Sequence, residues 1–345
     1  MLLLGAGHAH AWLLAALAKT PLYGARLTLV SPYPRQIYSA MLPGLIAGHY
    51  RQKEAEFDVA MLAERAFAEF IPGSVEALDA EQRVATLSDG STLSFDIASL
   101  NAGSRVDDSV PGCRDHALAV KPFERLVERL RKVSHVAVAG AGAAGAELAM
   151  ALRHRGGEVT LYSDRSNFPP HLARRVERRL RKIGVDYRPG MRIDSLEAGP
   201  VVVAGTARQQ FDLVLWATGP ASLPWLRSSG LAVDEAGFAR VDRALRSTSH
   251  PHIFAVGDCA ALSEAKSGVH AVRQGALLER NLRHIAAGTA LEAYQPQPRA
   301  LLLITCGARY AIAARGVWTA EGRWAWWWKN AIDRRWMRRL NATRT

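Results

Sequence analysis

Residues 136–161 read VAVAGAGAAGAELAMALRHRGGEVTL. A β-branched run leads into a GxGxxG turn at Gly140, Gly142 and Gly145, then an Ala/Leu-rich helix and a second strand from Glu158 to Tyr162. A βαβ dinucleotide-binding unit needs that order. Its first glycine turns the chain tightly, its second lets the backbone approach a pyrophosphate, and its third lets helix pack on strand. The helix N-terminus favours the phosphate charge. The stretch commits the chain to an α/β fold with a nucleotide site. Glu147 falls in the first turn of the helix, where the dipole favours a carboxylate, so a simple helix-start preference also accounts for it. The second strand ends Tyr162-Ser163-Asp164-Arg165. An acid there would bond a ribose 2′-hydroxyl and an arginine would favour a 2′-phosphate; Asp164 tips the reading toward NADH.

A second, imperfect copy opens the chain as MLLLGAGHAHAWLL. Leu2 to Leu4 read as a strand, Ala9 to Ala18 as a helix, and Ala25 to Val30 as the second strand. Gly5 and Gly7 fill the first two glycine places, but His10 stands where the third belongs. That implies either a wider helix–strand contact or a side chain turned toward the ligand. The apolar start also mimics a signal peptide, with Ala16-Leu17-Ala18 as a cleavage site, but it lacks a basic leader.

Two further stretches match each other. FDIASLNAGS, ending at Gly103-Ser104, and FDLVLWATGP, carrying Gly219, each place an Asp before an apolar strand and a glycine turn. Each would close a nucleotide-binding domain. Later, HIFAVGD delivers Gly257 and Asp258 at a strand's carboxyl end, where open α/β sheets bind ligands. Asp258 would accept hydrogen bonds from a ribityl chain or cap a helix.

A length of 345 residues with 49% hydrophobic content provides for two domains or slightly more, each with its own core. No uninterrupted run long enough to span a membrane is present, and none is expected. The three cysteines, Cys113, Cys259 and Cys306, have no CxxC spacing, which argues against a disulfide framework and a zinc site; no metal is expected, and a reducing cytoplasm fits. The net charge of +12 would suit an anionic partner or a phosphorylated cofactor. The basic helix around Ala173 to Lys182 has arginine at nearly every polar position and reads as a solvated face. Without aromatic or base-reading elements beside it, no nucleic-acid role is expected.

With GAGHAH, GAGAAGAE, WATGP and FAVGD in this order, the chain resembles the flavoproteins of the pyridine nucleotide-disulfide oxidoreductase superfamily over nearly its full length. The stretch from Tyr38 to Tyr50, the GxGHAH turn and Val120-Lys-Pro122 resemble, more narrowly, the subgroup related to type II NADH dehydrogenases. Some members of that subgroup are fused ahead of a selenide, water dikinase. The resemblance implies a discontinuous FAD domain from residues 1–118 and 246–292, an inserted NAD(P)H domain at 119–245, and a C-terminal interface or membrane-surface region at 293–345. It implies that Gly5, Gly7 and Asp258 hold FAD, and that Met41, Pro43 and Gln274 lie near the isoalloxazine. It further implies that Gly140, Gly142, Gly145 and Glu147 hold NAD(P)H, with Glu147 near the nicotinamide. Lys121 matches only a short Val-Lys-Pro and is equally well an exposed lysine before a turn.

Three departures qualify the resemblance. A glutamate usually closes the second strand of the FAD domain and binds the adenosine ribose; here Ser31 precedes Pro32. A hydroxyl bonds that ribose without charge, so Arg35, His8 and His10 become candidates to strengthen the grip, each histidine either donating to a phosphate or packing at the helix–strand joint. No cysteine occurs before Cys113, so the paired thiols of the disulfide reductases are absent and the acceptor must approach the flavin directly. Cys259 is a lone thiol or, more ordinarily, a small buried hydrophobe.

The third departure is residues 323–340, RWAWWWKNAIDRRWMRRL. At 100° per residue, Trp324, Trp327, Trp328, Ala331 and Ile332 gather on one helix face, with Lys329, Asn330 and Asp333 opposite. Tryptophan suits the membrane boundary, and each basic residue near an anionic leaflet adds about 1 kcal/mol. Trp and Arg are also enriched in dimer and domain interfaces, so a homodimer stays open. The expectation is an FAD-dependent NAD(P)H dehydrogenase passing hydride from nicotinamide C4 to flavin N5 and then electrons to a quinone-like acceptor. It would be cytoplasmic, with peripheral contact at the inner face of the membrane, and no side chain is singled out as catalytic. The rivals are a soluble reductase serving a partner in selenium or sulfur metabolism and a redox sensor that holds FAD without turnover.

Overall fold

The computed structural model of the chain describes residues 1–130, 133–165, 168–297 and 299–342. Its first unit supplies β1 (Leu2–Leu4), α1 (His8–Leu17), β2 (Leu27–Ser31), the short α2 (Leu42–Ile46), β3 (Ala68–Pro72) and β4 (Ala98–Leu100). The chain then builds a second unit from β5 (Leu118–Ala119), β6 (His135–Ala139), α3 (Ala143–His154), β7 (Glu158–Ser163), α4 (Pro170–Lys182), β8 (Asp186–Pro189) and β9 (Leu213–Trp216). It returns with β10 (Ile253–Ala255) and α5 (Gly268–Ala286). The C-terminal part is β11 (Leu302–Thr305), β12 (Ala311–Arg315), β13 (Trp318–Gly322) and α6 (Arg323–Asn341).

Two five-stranded sheets result, both wholly parallel. In the first, the order is β10-β4-β1-β2-β3; in the second it is β5-β9-β6-β7-β8. Parallel sheets need cover on both faces, and the strands are correspondingly apolar: Leu2, Leu3 and Leu4 are all buried, as is every residue of β7 after Glu158. Because β10, β4 and β1 are neighbours, the turns after Leu4, Leu100 and Ala255 meet at one sheet end. The second sheet brings together the turns after Ala139, Trp216 and Ser163 in the same way. Each set lies where open α/β sheets bind ligands.

β11, β12 and β13 form an antiparallel meander, and α6 returns from it across the first unit. Ala325, Trp326, Met337 and Leu340 of α6 are buried in that unit's apolar core. Among the described residues, no helix is long and apolar enough to cross a membrane.

Candidate functional site

The first glycine turn is held open by contacts that no side chain would fit. Gly5 has φ +90°, and a Cβ on it would lie 2.5 Å from the Ala102 backbone; one on Gly7 would lie 2.5 Å from Asn101 Oδ1. Asn101, just past β4, ties the surrounding loops together. Its Oδ1 accepts from the backbone N–H groups of Ala9 and His10, each at 3.1 Å, and its Nδ2 donates to the Val256 carbonyl at 3.0 Å. Asn101 thus fixes the start of α1 against the Gly257-Asp258 loop. Gly275 lets α5 press onto α1, since a Cβ there would be 2.4 Å from the Ala9 carbonyl.

Charges gather beside this turn. Lys121 Nζ donates to Asp258 Oδ2 at 2.8 Å and to Ser104 Oγ at 3.1 Å, and Ser104 Oγ donates to the same carboxylate at 3.0 Å. Burial alone would raise the Asp258 pKa. The charge and hydrogen bond of Lys121, with help from Ser104 and Lys266, outweigh it and hold the group below the usual carboxylate range. Lys266 adds bonds to the Asp258 and Ala260 carbonyls, both at 2.8 Å. Gly103 turns the chain here with φ +79°. His8 faces Tyr38 with ring centres 5.4 Å apart, and burial, with Lys121 adding to it, lowers its pKa to about 4. At neutral pH, His8 is an uncharged donor at the helix N-terminus. A glycine cradle, a helix N-terminus and a compensated aspartate fit the pyrophosphate and ribityl chain of FAD.

Several residues singled out in the sequence stand elsewhere. His10 does not reach a phosphate: its Nδ1 donates to the Gly5 carbonyl at 2.6 Å, and its Nε2 accepts from Ser99 Oγ at 2.8 Å, with no exposed surface. The imidazole fills the joint a third glycine would leave empty. Met41 has no exposed surface either and packs within the first unit's core, so its side chain does not face the cleft; Pro43 is buried at the start of α2. Gln274 is 2% exposed and occupied at both ends, accepting from Gly257 N–H at 2.6 Å and donating to Glu264 at 2.8 Å. It braces the loop that carries Asp258. Ser31, buried at the end of β2, accepts from Gln36 Nε2 at 2.9 Å, while Arg35 lies exposed and pairs with Asp58 at 3.4 Å. Gln36 rather than Arg35 is thus the side chain that reaches Ser31 at the end of β2.

The second turn has the steric demands of a complete motif. A Cβ on Gly140 (φ +97°) would lie 2.6 Å from the Ala217 carbonyl, and one on Gly145 would lie 1.8 Å from the Gly140 carbonyl. Gly142 caps α3, and the Gly219 carbonyl accepts from Asp107 N–H at 2.9 Å. Asp164 is exposed immediately after β7. Glu147 points toward the C-terminal part, where its Oε1 accepts from Thr305 N–H at 2.7 Å and Thr305 Oγ1 at 2.9 Å. Burial raises its pKa, opposed by the nearby charge of Lys329.

Lys329 has no signal in the sequence beyond its place on a helix face. The structure turns that face inward. Lys329 Nζ donates to Asp333 Oδ2 at 2.7 Å and to the Ala40 carbonyl at 2.5 Å, and Tyr50 donates to Asn330 at 3.0 Å. Trp324, Trp327, Trp328 and Ile332 are left 43–50% exposed, beside Trp318 at 48%. α6 therefore buries Lys329, Asn330 and Asp333 beside Trp326, Met337 and Leu340, and presents Trp324, Trp327, Trp328 and Ile332.

The cysteines are all buried. Burial pushes the thiols of Cys113, Cys259 and Cys306 up to about 12, so none is a ready thiolate.

Comparisons with known proteins bear on the family and the fold. The family described as pyridine nucleotide-disulphide oxidoreductase matches residues 1–275. Ferroptosis suppressor protein 1 of Xenopus tropicalis is 27% identical over 257 residues, 68% of this chain and 68% of that protein. The NADH dehydrogenase-like protein YutJ of Bacillus subtilis is 26% identical over 238 residues, 65% of this chain and 67% of that protein. Among solved structures, the sulfide:quinone oxidoreductase of Aquifex aeolicus superposes with a TM-score of 0.80 at 17% identity, covering 100% of this chain and 92% of that one.

Proposed function

The chain belongs to the pyridine nucleotide-disulphide oxidoreductase family, and we propose that it oxidises NADH and passes the electrons to a quinone at a membrane surface. Its general activity is that of an FAD-dependent NAD(P)H oxidoreductase, with FAD and a nicotinamide dinucleotide as cofactors. When bound, FAD accepts a hydride and releases two electrons to the acceptor.

The chain's own residues bind and orient. The cradles at Gly5 and Gly140 would hold the two pyrophosphates, and Asp258, held by Lys121, would bind the ribityl chain of FAD. Asp164, free at the end of β7, favours the ribose of NADH over a 2′-phosphate. Quinone reduction consumes protons. Glu147, its pKa raised by burial, and the Lys329 ammonium stand where the second unit meets α6 and would hold them. With all three thiols buried and un-ionised, the chain would offer a bound flavin no thiol relay.

The exposed aromatic face of α6 carries the reading. A helix that hides Lys329, Asn330 and Asp333 while exposing three tryptophans and Ile332 has an outer face suited to the interfacial layer of a bilayer. Arg323, Arg335 and Arg338 are exposed with them and suit anionic lipid. The likeness to YutJ, named NADH dehydrogenase-like, supports NADH as the reductant.

The test is NADH oxidation with a lipid-soluble quinone, with and without anionic vesicles. Vesicles should accelerate turnover and bind the protein, and Trp327→Glu/Trp328→Glu should abolish both effects while leaving turnover with a water-soluble quinone intact. Equal rates with and without vesicles would remove the membrane from the account.

A further inference from the structure

Glu264 and His270 lie behind the Gly257-Asp258 loop, each with its side chain only 8% exposed, and His270 Nδ1 is 3.3 Å from Glu264 Oε1. Glu264 Oε1 is well supplied: Gln274 donates to it at 2.8 Å and Tyr294 at 2.5 Å. Glu264 Oε2 and His270 Nδ1 are buried without a hydrogen-bond partner. A buried carboxylate oxygen left in that state is costly unless a proton or a cation answers it. Both groups line a small cavity with room for about one water, together with Gly257, Lys266, Ser267 and Gln274.

The surroundings make the pair responsive to charge at the cofactor. His270 sits in the first turn of α5, and the start of that helix abuts His8, since a Cβ on Gly268 would lie 3.0 Å from the His8 ring. Gln274 links Glu264 to the Gly257 N–H, one residue before Asp258. The other titratable or charged groups facing the pair are Tyr294, Lys266, whose ammonium is committed to the Asp258 and Ala260 carbonyls, and Arg273, whose charge acts on Tyr294. Lys266 and Tyr294 are thus committed to other acceptors than Glu264 Oε2.

We propose that Glu264 and His270 form a proton-binding site that takes up a proton when the bound flavin is reduced. The inference rests on FAD occupying this cleft, not on NADH or a quinone as partners. Two-electron reduction with uptake of one proton leaves the ring system with one negative charge. A solvent proton then settles on the pair, which becomes one charge more positive as the cofactor becomes one more negative. On re-oxidation, that proton is released with the electrons.

The test is the pH dependence of the flavin midpoint potential in the FAD-loaded protein, set electrochemically so that NADH plays no part. Where the pair titrates, wild type should take up one proton more per two electrons than Glu264→Gln or His270→Asn, both still yellow. Superimposable profiles would overturn the proposal. Should either variant lose FAD, the infrared redox difference spectrum of wild type carrying isotope-labelled histidine decides: an imidazole protonation band appearing on reduction supports the site, and its absence refutes it. A protein that never binds flavin is a different result, and it refutes the FAD reading of the cleft instead.

Discussion

Lys121, at the entry to the second unit, donates to Asp258 of the first at 2.8 Å. Asp258 sits beside the Gly5–Gly7 cradle proposed for FAD, and without a cation its carboxylate would repel a diphosphate bound there. Lys121→Gln should therefore weaken FAD binding about tenfold, the scale of one partly exposed charge-assisted bond. Lys121→Arg should recover much of the loss. FAD release followed by fluorescence measures both.

The two glycine turns should fail separately. Gly145→Ala sets a Cβ against the Gly140 carbonyl and should abolish reduction by NADH, leaving a yellow protein that dithionite still bleaches. Gly5→Ala sets a Cβ against Ala102 and should yield colourless protein. Absorbance before and after each reductant separates the outcomes.

Burial lowers the His10 pKa from 6.5 to about 4. In the unfolded chain the ring regains its ordinary affinity, so between these pH values the unfolded state binds the extra proton. Stability should fall as the pH drops through that window and level off below it, by about 3 kcal/mol for a shift of this size. His10→Gln should be less stable at neutral pH, having lost a fitted imidazole, yet show a shallower acid limb. His8, lowered by the same cause but less enclosed, should supply the remainder. Urea midpoints across a pH series test the sign.

Lys329 and Asp333 are a buried pair, so removing one alone would strand the other and cost about 3–5 kcal/mol. The double variant Lys329→Met/Asp333→Leu avoids that. Reduction of the flavin by NADH should keep its rate, whereas re-oxidation by quinone should slow by about 10²-fold, the usual scale for a lost proton donor. Stopped-flow absorbance resolves the two half-reactions.

The fold was legible where its signals were local. The second glycine turn carries its strand, helix and steric demand within a few dozen residues, and β7 ends at Ser163, one residue beyond the expected Tyr162. What escaped the sequence depends on distant partners. His10 is explained by Ser99, Gly7 by Asn101, and Ser31's hydroxyl by Gln36 across a turn. The helical wheel of 323–340 separated the two faces correctly, but a wheel has no inside. Only packing against Ala40, Tyr50 and the core decides that Lys329 faces inward and the tryptophans outward. The resemblance implies Met41 near the isoalloxazine; that its side chain is buried in the first unit's core is set by packing and had no signal in the sequence.

Anaerobic titration of the FAD-loaded protein with NADH, followed by addition of quinone, reaches the central claim most directly, and it is sharpest in a variant with Cys113, Cys259 and Cys306 all replaced by serine. The flavin band should bleach at one NADH per flavin and return with quinone, at rates close to those of the unaltered chain. A flavin that stays oxidised under excess NADH, or one that re-oxidises only when the cysteines are present, would contradict electron transfer straight from coenzyme to flavin to acceptor.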